Sequence, residues 1–159
     1  MFLKPSLVAI TAAALLGGSV ARAAADDVAA IVHKSNPVNS LTMAQLRKVM
    51  LSQEIKWPTG SRIVVWLTPP GQRERAGMLK LVCAMSETDF TLYSMHASVD
   101  GAAADLSKTA ATGALVRKSV ADVANGLGLI WAWQADASVK VLAIDGIRPG
   151  EPGYKLTVK

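Results

Sequence analysis

The stretch from Leu41 to Pro70, LTMAQLRKVMLSQEIKWPTGSRIVVWLTPP, constrains the fold more than any other part of the chain. Leu46, Val49 and Met50 stand at i, i+3 and i+4 with Arg47 and Lys48 opposite, which predicts an amphipathic helix of about ten residues, capped by Ser40 or Thr42. Trp57-Pro58-Thr59-Gly60-Ser61 must break it, because the residue before a proline is pushed out of the helical region. Ile63-Val64-Val65-Trp66-Leu67 then reads as an interior strand, five consecutive apolar residues that are mostly β-branched or aromatic. Pro69-Pro70-Gly71 ends the strand, and from Gln72 the spacing of Ala76, Leu79, Val82 and Cys83 turns helical again, with Gly77 as its weak point. Helix, strand and helix in such close order require packed layers of both kinds.

The flanking segments continue the alternation. Val28 to His33 is a short apolar run closed by Ser35-Asn36-Pro37, a buried strand and a turn. Ser86-Glu87-Thr88-Asp89 resembles a capping box with Asp in the acidic place, opening a helix that buries Phe90, Tyr93, Met95 and Ala97. Ser98 to Leu115 has little apolar bulk and reads as a mobile loop or a loosely packed crossing. Val116, Val120, Val123 and Ala124 give a short helix ending at Asn125-Gly126, with the glycine in the left-handed position after it. Gly128 to Trp133 and Val139 to Ile144 are two further strands, and Asp145-Gly146 marks the exit turn. The fold class expected is α/β, a single mixed sheet flanked by helices.

Met1-Phe2-Leu3-Lys4, the uncharged run Leu7 to Val20 and the small-x-small sequence Ala21-Arg22-Ala23 form the pattern of an export signal. The expected organisation is a signal peptide over 1–23 and one domain over 24–159, periplasmic or secreted. The 17 basic and 12 acidic residues give a net charge of +5, which loss of Lys4 and Arg22 with the leader lowers to +3. The basic residues are scattered, and four Trp, two Tyr and two Phe are too few for stacking platforms, so nucleic acid is not an expected partner. Cys83 is the single cysteine; no internal disulfide can form, and its apolar neighbours mark it as a packing residue.

Chemistry-bearing residues are sparse. The loop Thr68-Pro69-Pro70-Gly71-Gln72-Arg73 is the candidate for ligand contact, since a loop entering a helix exposes unpaired N–H groups and the positive end of the helix dipole. Thr68, Gly71, Gln72 and Arg73 are its candidate contacts, for a carboxylate, phosphate or sulfate. The competing reading is a solvated turn with Arg73 and Arg75 reaching neighbouring acids such as Glu74. Neither His33 nor His96 has a metal-ligand spacing or a nucleophile motif around it, so no metal, cofactor or catalytic residue is expected. Asp26-Asp27 reads as a solvated tail. Trp57, Trp66, Trp131 and Trp133 read as core and sheet-edge packing, with Trp131 and Trp133 on the same side of one strand.

Beyond these readings, the chain resembles the phosphate-type periplasmic solute-binding proteins of ABC transporters, the PstS-like binding domain. Val49-Met50-Leu51-Ser52-Gln53-Glu54-Ile55-Lys56-Trp57 is similar to that family's helix end and Gly-Lys-Ile-x-x-Trp turn. Gly60 to Leu67 matches the strand that follows, with Thr59 where an acid usually stands. Val120 to Ile130 is similar to its valine-rich helix and Gly-Ala-Ile-Gly-Tyr strand, and Val141 to Gly146 with Gly153-Tyr154-Lys155-Leu156 to its last strand and exit. The resemblance implies one lobe of a type II periplasmic-binding-protein-like fold and a non-enzymatic function, binding a small oxyanion such as phosphate. It also implies an envelope or transporter protein as partner, with membrane contact only through that partner. Pro70-Gly71-Gln72-Arg73 stands where the family has a Ser-Gly-Thr helix start, so its hydroxyls are missing here. The alternative function is an envelope protein–protein interaction module that has kept the lobe and lost the pocket.

Overall fold

In the computed structural model, residues 25–99 and 107–159 are described. The expected signal peptide over 1–23 lies outside them. Strand β1 (Val28–Val32) is followed by a short β2 (Ser40–Leu41), helix α1 (Met43–Met50) and β3 (Val64–Leu67). Helix α2 (Arg73–Met78) runs on into a π-helical turn, Leu79–Cys83, which the left-handed Ala84 terminates. Then come α3 (Glu87–Val99), β4 (Ser107–Thr109), α4 (Gly113–Asp122), β5 (Gly126–Trp131), a 3-10 turn at Ala132–Gln134, β6 (Lys140–Val141) and β7 (Ala143–Ile144).

The central sheet has the order β4-β3-β5-β1-β6 and is mixed: β4, β3 and β5 are parallel, while β1 runs antiparallel to β5 and β6. β2 and β7 add a two-stranded parallel ladder beside it. The pleat sends alternate residues to opposite faces. Val28, Ala30, Val32, Val65, Leu127 and Leu129 pack under α1, α2 and α3 with the C-terminal Tyr154, Leu156 and Val158. Ala29, Ile31 and Ile130 point the other way, against Val116 and Val120 of α4. Both faces of the sheet are therefore covered by helix.

Local chemistry explains the elements that were legible. Thr42 caps α1 in a full capping box, its hydroxyl accepting from Gln45 N at 3.1 Å while Gln45 Oε1 accepts from Thr42 N at 2.8 Å. Ser86 and Asp89 bond reciprocally at the start of α3, as the sequence predicts. Trp57 is buried, and its indole N–H donates to Asn125 O at 3.0 Å. Gly77 stands where a Cβ would lie 2.5 Å from Val158 Cγ2, so its role is to let the C-terminal segment cross α2.

Several expectations are corrected. Within Ser98 to Leu115, Ser107–Thr109 is an edge strand, Ser98 and Val99 finish α3, and Gly113 to Leu115 form the first turn of α4 capped by Thr112. The rest of that segment, 100–106, lies outside the described residues. Gly126 is not left-handed; it opens β5, and α4 ends on the extended Val123. β5 stops at Trp131 because its partner β1 begins opposite at Val28. Trp133 consequently sits on the 3-10 turn, 65% exposed, and does not share a strand face with Trp131. The strand expected over Val139 to Ile144 divides at Leu142 into β6 and β7, which serve different sheets. Met95 is exposed. Asp27 is only 2% exposed: its carboxylate accepts from Gly150 N at 2.7 Å and Thr157 Oγ1 at 2.6 Å, tying the first strand to the last residues.

Candidate functional site

The carboxyl ends of the parallel strands β3 and β4 meet at one edge of the sheet, where Ala110 N donates to Leu67 O at 3.0 Å. In open α/β sheets this is the edge from which loops reach a ligand. After Leu67 the chain turns through Pro69-Pro70-Gly71-Gln72, with Gln72 N donating to Pro69 O at 3.3 Å and Gly71 at φ +93°. Proline at the second place and a positive-φ glycine at the third are what a type II turn demands. The turn delivers Gln72 in an extended conformation as the residue before α2. Among the described residues Gln72 makes no side-chain cap bond, so the first N–H groups of α2 lack that partner.

Arg73 follows on the surface. Its side chain is 60% exposed, reaches Asp26 Oδ1 at 3.3 Å and lies 5.6 Å from the Trp131 ring centroid. An exposed pair of this kind is worth less than about 1 kcal/mol, so Arg73 can exchange it for another anion. Arg75 differs from the solvated arginine expected at its position. Only 9% exposed, it donates to both Glu87 oxygens at 2.8 and 2.6 Å and to Thr68 O at 2.9 Å, and it lies over Phe90 at 5.9 Å. Its acid is Glu87 of α3, not Glu74. This two-pronged bond clamps the end of β3 onto α3 and fixes the turn from behind. Glu74 is the acid in the first turn of α2, where the helix dipole favours a negative charge.

Thr68 is 1% exposed, and its hydroxyl has no hydrogen-bond partner among the described residues. A buried hydroxyl left so is uncommon and calls for a reason. The structure thus brings Thr68, Gly71, Gln72 and Arg73 onto one short turn at the sheet edge, with Thr68 recessed and the other three exposed. Sequence reasoning missed Arg75 as the clamp, and also Trp131 and Asp26 as neighbours of Arg73. The start of α4 lies at this edge too, but Gln134 covers it: a Cβ on Gly113 would stand 2.1 Å from Gln134 Oε1.

Other reactive groups lie apart. His33 closes β1 at the opposite edge and its Nδ1 faces Ser35 Oγ at 2.7 Å. Cys83 is buried, and desolvation pushes its thiol up to about 11 in spite of Arg47, leaving it protonated near neutrality. Among the described residues no group of three or more His, Cys, Asp or Glu could hold a metal ion, and no helix is long and apolar enough to cross a membrane. Cavities of about 510, 290 and 260 Å³ lie elsewhere, none of them lined by the four turn residues.

No protein-family model and no curated protein matches the sequence. Solved structures do match. A phosphate ABC transporter substrate-binding protein with bound phosphate from Clostridium perfringens is 23% identical, with a TM-score of 0.64 over 78% of this chain and 47% of its own. An ABC-type phosphate transport receptor from Vibrio cholerae is 20% identical at a TM-score of 0.64, over 78% and 48%. PstS from Borrelia burgdorferi is 11% identical at 0.67, over 84% and 55%. The chain spans about half the length of these structures. Its fold is that of one part of a phosphate-type ABC-transporter substrate-binding protein, a central mixed sheet flanked by helices.

Proposed function

We propose that this protein is an exported, non-enzymatic solute-binding protein that contacts a small oxyanion such as phosphate through Thr68, Gly71, Gln72 and Arg73, in concert with an envelope or transporter partner. The observation that carries the reading is the turn itself. It sits at the carboxyl edge of the parallel strands, is held from behind by Arg75 and Glu87, and offers uncapped N–H groups beside an exposed guanidinium. Gly71 and the residues after it supply the donors, because Pro69 and Pro70 have none. Arg73 supplies the charge, and the Thr68 hydroxyl, buried beneath the turn, has no hydrogen-bond partner among the described residues.

Binding at an open turn is weaker than binding in an enclosed cleft, because water continues to compete for the anion. Calorimetry of the mature protein against phosphate, sulfate and acetate tests the reading. It expects heat with millimolar phosphate that Arg73→Gln abolishes, and absence of heat from all three anions removes the ligand from it.

A second reading, an interaction module, is favoured by the exposed side chains Leu92, Met95 and Val99, spaced to share one side of α3, together with Trp133. Recovery of an envelope protein by the native chain, lost in Leu92→Ser with Met95→Ser, supports it; recovery unaffected by the change counts against it.

A further inference from the structure

The β2 region, one face of α1, the loop through Trp57 and Ile63 at the entrance to β3 border a half-open cavity of about 510 Å³, at the opposite edge of the sheet from the Thr68 turn. This volume lies in the range that holds small organic ligands, roughly 300–1,000 Å³. Leu41, Val49, Trp57 and Ile63 line it, each nearly excluded from solvent. Its walls are fixed before any ligand arrives: the Trp57 indole is bonded to Asn125 O, Trp57 N donates to Ser61 O at 2.9 Å and Ile63 N to Ile55 O at 2.9 Å.

The exposed lining residues Lys48 and Lys56 carry the charge. Among the described residues neither has a carboxylate within 4.0 Å. Glu54 also lines the cavity without pairing to either lysine, so the lining carries two positive charges against one negative. An apolar floor offers nothing to a fully hydrated inorganic anion, and two ammonium groups repel an amine. The combination fits a ligand with an apolar body and one negative end.

We propose that this cavity is a second binding site, for a small organic carboxylate whose apolar body lies against Trp57, Val49 and Ile63 and whose carboxylate is met by Lys48 and Lys56. The site is independent of the Thr68 turn, and either can fail without the other.

The test is a 15N–1H NMR titration of the native protein with phenylacetate, phenethylamine and inorganic phosphate in turn. Phenylacetate is expected to shift the Trp57 indole N–H and the Val49 and Ile63 amides saturably, and phenethylamine to leave them in place. Lys48→Gln with Lys56→Gln, both at exposed positions, is expected to weaken phenylacetate about tenfold while the rest of the spectrum stays unchanged. Single replacement of either lysine should give an intermediate affinity. The proposal is overturned by the absence of saturable shifts at about 10 mM phenylacetate (a free energy of binding weaker than about 3 kcal/mol). It is equally overturned by equal response to the amine, by unchanged affinity in the double variant, or by shifts confined to Gly71–Arg73.

Discussion

Gly128 sits in the middle of β5, directly beneath α4, and the space above it measures how closely that helix is packed. A Cβ built there would meet Val116 Cγ1 at 2.8 Å, Val120 Cγ2 at 2.9 Å and Ile31 Cγ1 at 3.1 Å. All three neighbours are fully buried, so no flexible side-chain end can swing aside. Replacing Gly by Ala removes unfolded-state freedom and would by itself stabilise a strand by about 0.5–1 kcal/mol. Forcing a methyl into a packed core costs about 1–3 kcal/mol. The second effect wins, and Gly128→Ala should lose about 1–2 kcal/mol net. Urea unfolding followed by far-UV circular dichroism reads this as a lower midpoint at unchanged slope. In a double-mutant cycle, Val116→Ala opens room for the new methyl, so the double variant should be less destabilised than the sum of the singles by about 1 kcal/mol. A Gly128→Ala protein as stable as the parent, or strict additivity with Val116→Ala, would refute the reasoning that α4 rests directly on this glycine.

Arg75→Ala strands Glu87 and the Thr68 carbonyl and should cost about 3 kcal/mol, at the low end for a buried pair because Glu87 is partly exposed; urea unfolding checks it. Burial lifts the Cys83 thiol from 9.0 to about 11, so the folded protein holds its proton after the unfolded chain has released it. Stability is therefore full below pH 9 and falls as pH rises from 9 towards 11, and Cys83→Ala should make that fall shallower in unfolding measured across the range. Bonds from Lys155 and from Met43 N hold the Asp145 carboxyl below its usual range. The stabilisation exists above the ordinary carboxylate pKa and is lost as pH falls through the depressed one, and Lys155→Gln should move the Asp145 titration upward in an NMR pH series.

The sequence was most informative where cause and effect are neighbours. α1 announces itself by apolar spacing and by Thr42 and Gln45, three residues apart, and the Pro-Pro-Gly turn by the dihedral needs of its own residues. Asp27 was misread because its partners, Gly150 and Thr157, lie 123 and 130 residues away. The end of β5 depends on where β1 begins, which no window around Trp131 contains. β4 is Ser-Lys-Thr, exposed throughout, and an edge strand with no apolar residue gives no periodic signal. At the site, the turn residues were legible, whereas the Arg75 clamp required knowing that α3 returns to place Glu87 beside β3. The cavity near Trp57 was beyond reach for the same reason, since its lining comes from the β2 region, one face of α1, the loop through Trp57 and the residue before β3, which only tertiary packing unites.

The most direct test of the central claim is a 15N–1H NMR titration of the native protein with inorganic phosphate, read at the Thr68–Arg73 turn. The account predicts saturable amide shifts concentrated at Gly71, Gln72 and Arg73 and lost in Arg73→Gln. A spectrum unchanged at millimolar phosphate, or small shifts spread over the surface lysines with the turn silent, would contradict it.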